Sequence, residues 1–135
     1  MKHQHFDVGT VGFYGAYWAC AGGSDCAVIA MIGDDPEDRL ARSAVKWLCG
    51  WGVNVLTMSP AKKDYGHHNY PLERVETAIS WLKANGNRKI GVAGASTTGT
   101  LALTAAAMFP DITLTIAMTP SDFVWQGFMQ GKKDG

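Results

Sequence analysis

Short apolar runs alternate with stretches in which apolar residues recur every three or four positions. Residues 26–32 (Cys-Ala-Val-Ile-Ala-Met-Ile) are apolar throughout, as expected of a strand covered on both faces. The run stops at Gly33. Asp35 reads as the cap of a helix whose first position is Pro36, with Glu37 and Asp38 in its first turn. Helical spacing sets Leu40, Ala44, Leu48 and Trp51 near one face, and Gly50 and Gly52 close that element. Residues 53–58 predict the next strand, and residues 59–70 are polar and irregular. Pro71 opens a second helix, with Leu72, Val75, Ile79 and Leu82 at helical spacing and Gly86 as its stop. Residues 89–93 form a further strand. It turns at residues 94–99 into an alanine-rich helix over 100–109, which Pro110 ends, and residues 112–118 follow as a strand. Ahead of these units, the Gly-interrupted stretch 6–13 reads as an edge strand.

The order β-α-β-α-β-α-β predicts an α/β fold, a mostly parallel sheet with helices on both faces. Function in such sheets gathers at the carboxyl ends of the strands. Four segments emerge there, beginning at Gly33, Ser59, Gly94 and Thr119.

Composition narrows the function classes. Apolar residues make up 47% and charged residues 18% of the 135 positions, enough for one domain with a core. Twelve basic residues balance twelve acidic ones, so no basic excess draws in nucleic acid or an anionic membrane. No secretory signal pattern opens the chain, and the apolar patch at residues 14–21 is too short to span a bilayer. Cys20, Cys26 and Cys49 follow no metal-ligand pattern and read as reduced thiols of a cytoplasmic protein. No cofactor motif is present: residues 91–94 (Gly-Val-Ala-Gly) have the wrong spacing for a dinucleotide loop.

The chemistry concentrates at Ser96. A serine hydroxyl is a weak nucleophile unless it is exposed, oriented and served by a base. A sharp strand-to-helix turn achieves the exposure, at the cost of strained backbone angles that require small neighbours. Gly94 and Ala95 fit that need. Thr98 stands where the usual Gly-x-Ser-x-Gly pattern has its second glycine, and Gly99 follows one place later. The Thr97 N–H is then the expected first oxyanion donor, with Gly33 or Asp34 supplying the second. A plain tight turn between strand and helix is the competing interpretation of the same residues.

Residues 70–82 (Tyr-Pro-Leu-Glu-Arg-Val-Glu-Thr-Ala-Ile-Ser-Trp-Leu), followed by residues 90–96 (Ile-Gly-Val-Ala-Gly-Ala-Ser), resemble the C-terminal catalytic domain shared by acyl-CoA thioesterases and bile acid-CoA:amino acid N-acyltransferases. The resemblance runs from about residue 26 to about residue 127. It implies an α/β-hydrolase fold and an acyl-enzyme mechanism on a small acyl ester or thioester: Ser96 attacks the carbonyl and the thiolate leaves. Because the transferases of that family use cysteine, Ser96 favours hydrolysis over transfer. The loop at residues 33–38 departs from the family's glycine-rich form, and its four carboxylates would disfavour an anionic substrate unless they serve the helix start.

A serine hydrolase needs an acid and a base. After Ser96 the chain holds Asp111, Asp122 and Asp134 and no histidine. Asp111 falls at the wrong sheet edge, whereas Asp122 follows the last strand at the functional edge. The family resemblance places the acid and histidine later, so residues 1–135 read as a partial hydrolase domain. His67 and His68 emerge at the functional edge, as lining of the substrate opening or as a non-standard base. A different class of function remains open: a non-catalytic binding or assembly module. Trp125, Phe128 and Met129 fit that idea, and an exposed sheet edge would offer a route to homo-oligomers.

Overall fold

The computed structural model describes residues 3–59 and 70–122. Six strands form one mixed sheet. In chain order they are β1 (His3–Phe6), β2 (Gly15–Trp18), β3 (Cys26–Met31), β4 (Asn54–Met58), β5 (Lys89–Ala95) and β6 (Ile112–Met118). The helices are α1 (Val8–Val11), α2 (Arg39–Gly50), α3 (Glu73–Ala84) and α4 (Thr97–Met108). Across the sheet the order is β1-β2-β4-β3-β5-β6. The ladders β4/β3, β3/β5 and β5/β6 are parallel, whereas β2 runs antiparallel to both β1 and β4.

The amino-terminal part differs from its sequence reading. β1 ends at Phe6, because the Asp7 carboxylate caps a helical turn by accepting the Thr10 N–H at 3.2 Å. The strand next to β4 lies instead in the apolar patch after Phe13, where the small pair Gly15-Ala16 precedes the aromatic pair Tyr17-Trp18.

Two apolar clusters lie on opposite faces. One gathers Phe13, Ile29, Leu56, Val75, Ile79, Leu82 and Val92 beneath α3 and α4. The other gathers Trp18, Val28, Val45, Leu48, Val55 and Ala93 beneath α2. Each fully buried Ile, Leu or Val contributes about 1.5–3 kcal/mol, so the two-faced burial of β3, β4 and β5 is the main term holding the sheet. On α4 the buried positions include Ala102 and Ala105, small residues that let the helix lie close to the sheet.

Helix α2 starts three residues later than its sequence reading. Asp38, not Asp35, is its cap, and Arg39 is its first residue. The buried face therefore carries Ala41, Ala44, Val45 and Leu48, while Leu40 and Trp51 are exposed. The helix expected from Pro71 begins at Glu73, with Leu72 in the cap position and no side-chain cap bond. The helix expected from Thr100 begins at Thr97, directly after Ser96.

A buried polar bracket closes the sheet at the amino ends of its parallel strands. Asn54 donates to the Ser24 carbonyl at 3.0 Å and to Asn87 Oδ1 at 2.8 Å, and accepts the Cys20 N–H at 2.9 Å. Asn87 in turn donates to the Leu82 carbonyl at 3.1 Å. Both side chains are buried, so each bond satisfies a group that would otherwise lose its water uncompensated.

Candidate active site

The parallel strands deliver the ends of β3, β4, β5 and β6 to one edge, and Ser96 sits there between β5 and α4. Its backbone angles are φ 56° and ψ −122°, a region that side-chain-bearing residues rarely occupy. Such a conformation costs on the order of 1–3 kcal/mol and persists only where its surroundings enforce it. Here they do. The Ser96 N–H donates to the Met118 carbonyl at 2.9 Å, and the Ser96 carbonyl accepts the Thr100 N–H at 3.2 Å. Gly94 is required by close approach: a Cβ there would lie 2.0 Å from the Thr98 carbonyl oxygen. The Ser96 side chain is exposed, as a nucleophile on a bend must be.

Thr98 turns the departure from the usual pattern into a tie. The residue is buried, and its hydroxyl lies 2.5 Å from the Met31 carbonyl and 2.8 Å from the Ala95 carbonyl. The same oxygen accepts the Ala95 N–H at 2.9 Å. One side chain therefore fixes both the turn and the last residue of β3, where the neighbouring loop begins.

That loop is organised by Asp38. One carboxylate oxygen accepts the Asp34 N–H at 2.8 Å and the Asp35 N–H at 3.2 Å, while the other accepts the Ala41 N–H at 2.8 Å. Partial burial acts to raise the Asp38 pKa, but the amides of Ala41, Asp34, Asp35 and Leu40 together outweigh it and hold the carboxyl below its usual range. Gly33 makes room for this arrangement. Its φ is +97°, and a Cβ would lie 2.4 Å from Asp38 Oδ1.

The geometry sorts the loop's expected roles. The Asp34 amide is committed to Asp38, which removes it as the second oxyanion donor and leaves Gly33 as the loop's candidate. Thr97 is the first residue of α4, so its N–H lies at the amino end of that helix. The helix dipole adds partial positive charge at the same point. Three of the loop's four carboxylates turn to local partners. Asp38 serves the amides, Asp35 accepts the Glu37 N–H at 2.9 Å and the Tyr14 hydroxyl at 3.3 Å, and Glu37 pairs with His3 and with His5, the latter at 2.8 Å.

The remaining sequence-predicted residues fall in three places. Asp122 is exposed in the segment after β6, at the functional edge; its neighbour Ser121 donates its N–H to Thr100 Oγ1 at 2.9 Å. Asp111 pairs with Lys83 at 2.5 Å near the opposite edge. His67, His68, Trp125, Phe128 and Met129 lie outside the described residues. His3 and His5 belong to β1, four strands from β5 and so about 19 Å away across the sheet, too far to serve Ser96. The sequence analysis missed Asp38 as loop organiser. Aspartate is a favoured capping residue, but Asp34 and Asp35 offer the same chemistry a few places earlier, so composition alone did not single Asp38 out.

Among the described residues, no helix is long and apolar enough to cross a membrane, no His/Cys/Asp/Glu group is placed to hold a metal ion, and the three cysteines are unpaired.

Strand order, the bend at Ser96 and structural likeness agree on the class: the chain has an α/β-hydrolase fold. It is similar to an esterase from Pyrococcus furiosus, with a TM-score of 0.67 and 22% identity over 80% of this chain and 45% of that one. It is also similar to a protein of unknown function from Agrobacterium tumefaciens, provisionally classed as an α/β hydrolase, with a TM-score of 0.67 and 15% identity over 90% of this chain and 63% of that one. The chain thus spans less than two thirds of the length of either neighbour. No family model matches it, and no curated protein does.

Proposed function

We propose that Ser96 is the nucleophile of a serine hydrolase that cleaves small acyl esters or thioesters through an acyl-Ser96 intermediate. The observation that carries this reading is the strained, exposed serine between β5 and α4, held by the Met118 carbonyl and the Thr100 N–H, with the Thr98 hydroxyl fixing the preceding Ala95. In this mechanism the hydroxyl adds to the substrate carbonyl, and a base removes its proton. The oxyanion rests on the Thr97 and Gly33 amides; each such donor is worth about 10²–10³ in turnover. The alcohol or thiolate then leaves, and water releases the acid. The thioester preference follows from the resemblance of residues 70–96 to acyl-CoA thioesterases, and the inward-turned carboxylates of residues 35–38 lessen the repulsion an anionic leaving group would meet.

In this reading residues 1–135 are a partial hydrolase domain, and the acid and histidine that serve Ser96 lie outside them. The test is covalent labelling. A fluorophosphonate should label Ser96 in the complete protein and fail to label Ser96→Ala. Silence there favours a non-catalytic binding or assembly module. The 135-residue chain alone should show no appreciable hydrolysis of p-nitrophenyl acetate, because an unassisted serine stays protonated. Turnover by that chain that disappears in Ser96→Ala, and again in the His67→Gln/His68→Gln pair, would instead assign the base to those histidines.

A further inference from the structure

The loop between β3 and α2 carries four carboxylates, and Asp34 is the one its surroundings leave uncompensated. Asp35 takes a hydroxyl, Glu37 takes imidazoles and Asp38 takes amides. Asp34 is exposed, and among the described residues no donor reaches its carboxylate. Its backbone is fixed on both sides. The N–H donates to Asp38 Oδ2 at 2.8 Å, and the carbonyl accepts the Ser59 hydroxyl, also at 2.8 Å. The inward space beside Gly33 is already filled by the Asp38 carboxylate. Turning Asp34 inward would bring two like charges together, so its charge stays at the surface.

The sheet puts that charge beside Ser96. β3 and β5 are neighbours, with Met31 opposite Gly94, so the segments leaving them start about 4.8 Å apart at one edge. With Gly33 as an oxyanion donor, Asp34 lies one Cα step, about 3.8 Å, beyond it. Its carboxylate then falls about 10 Å from the reacting carbonyl, one Debye length at 0.1 M salt. Arg42 does not balance it: Nε donates to the Glu37 carbonyl at 2.7 Å, and the guanidinium lies over the Trp18 ring at 5.5 Å. Asp122, exposed beyond β6 on the other flank of β5, carries the same sign.

Resting on the reading of Ser96 as nucleophile, we infer that Asp34 sets the charge selectivity of the site. It favours esters and thioesters with a cationic group within a few bonds of the scissile carbonyl and disfavours those with an anionic group there. One charge at about 10 Å changes kcat/KM by about 2- to 15-fold, between the bulk-water and near-surface limits of Coulomb's law. A leaving group such as CoA, whose phosphates lie many bonds from the carbonyl, stays beyond the screening length and escapes the penalty. The substrate class is therefore neutral or cationic near the reacting centre, whatever charge it bears further out.

The test uses the complete protein and matched esters ending in trimethylammonium, tert-butyl or carboxylate. The end group is placed on the alcohol in one series and on the acyl part in another. In low salt the wild type should rank cation above neutral above anion in kcat/KM in at least one series. Asp34→Asn should raise the anionic ester and lower the cationic one by about 2- to 15-fold each, leaving the neutral ester unchanged. Asp34→Glu should restore the ranking, and about 1 M salt should flatten it. A ranking that survives Asp34→Asn, or a wild type that ranks neither series, overturns the proposal, while loss of all hydrolysis in Ser96→Ala still upholds the nucleophile. Hydrolysis that persists in Ser96→Ala, or a wild type silent toward every ester, overturns the nucleophile reading and this proposal with it.

Discussion

The Thr98 hydroxyl lies 2.5 Å from the Met31 carbonyl, so the residue two places after Ser96 is tied to the end of β3. A glycine at that position, as in the usual pentapeptide, could not make this link. Thr98→Val keeps the shape and removes the hydroxyl, leaving the Ala95 N–H and the Met31 carbonyl short of a partner. It should destabilise the chain by about 1–3 kcal/mol in urea denaturation. Thr98→Ser, which keeps the oxygen, should recover most of that loss. A loss in Thr98→Ser with none in Thr98→Val would show that the methyl, not the hydroxyl, matters.

Ser96 should oppose stability. Its φ of 56° and ψ of −122° suit glycine. Relief of the strain exceeds the extra chain entropy that glycine brings to the unfolded state. Ser96→Gly is expected to stabilise by about 1 kcal/mol, or about 3–4 °C in Tm. A calorimetric scan in which the variant melts lower would contradict the strain account.

Asp38 gives the loop an acid-dependent stability. Its carboxyl is held below the ordinary range in the folded chain, so it contributes stability above its unfolded pKa, about 3.9, and loses that contribution as pH falls through the folded value. Asp38→Ala should cost about 1–2 kcal/mol at pH 7. The gap to wild type should narrow below about pH 4. Denaturation midpoints across that range check the sign. A gap that widens on acidification would refute the assignment.

The Asn54–Asn87 bond is the centre of the bracket at the amino ends of the strands. Asn87→Leu would strand the Asn54 amide and bury a bulky group in a polar niche. A loss of about 2–3 kcal/mol is expected, against less than 0.5 kcal/mol for the exposed Asn85→Leu. Comparable losses at both sites would place the stabilisation elsewhere.

Periodicity carried most of the fold. The apolar runs that became β3, β4 and β5 were legible because burial on both faces leaves few polar positions, whereas β6, half-buried at most, was legible from its β-branched residues. Ser96 was legible from the small residues before it and the alanine-rich helix after it. Three features were not. β2 is four residues long and hides among glycines and aromatics. The start of α2 depends on which of four neighbouring carboxylates turns inward, and that is decided by the space Gly33 leaves for Asp38. Helical spacing allows overlapping apolar faces, and packing chose the one centred on Ala41, Ala44, Val45 and Leu48, so Leu40 and Trp51 were expected inside and stand outside. The role of Thr98 depends on a carbonyl 67 residues away in sequence, a contact that no local pattern encodes.

The asparagine bracket has a consequence for how the molecule breathes. It joins segments around residues 20, 24, 54, 82 and 87, so opening the sheet from that end must break every unit at once. At the opposite end the ties are divided among Asp38, Thr98 and the Ser96 backbone rather than gathered in one bracket. Local excursions should therefore begin there, and amide hydrogens flanking Ser96 should exchange with deuterium long before those of Asn54 and Ile90. The fold keeps its anchor and its reactive end about one strand length apart, which lets the reactive end vary without loosening the whole.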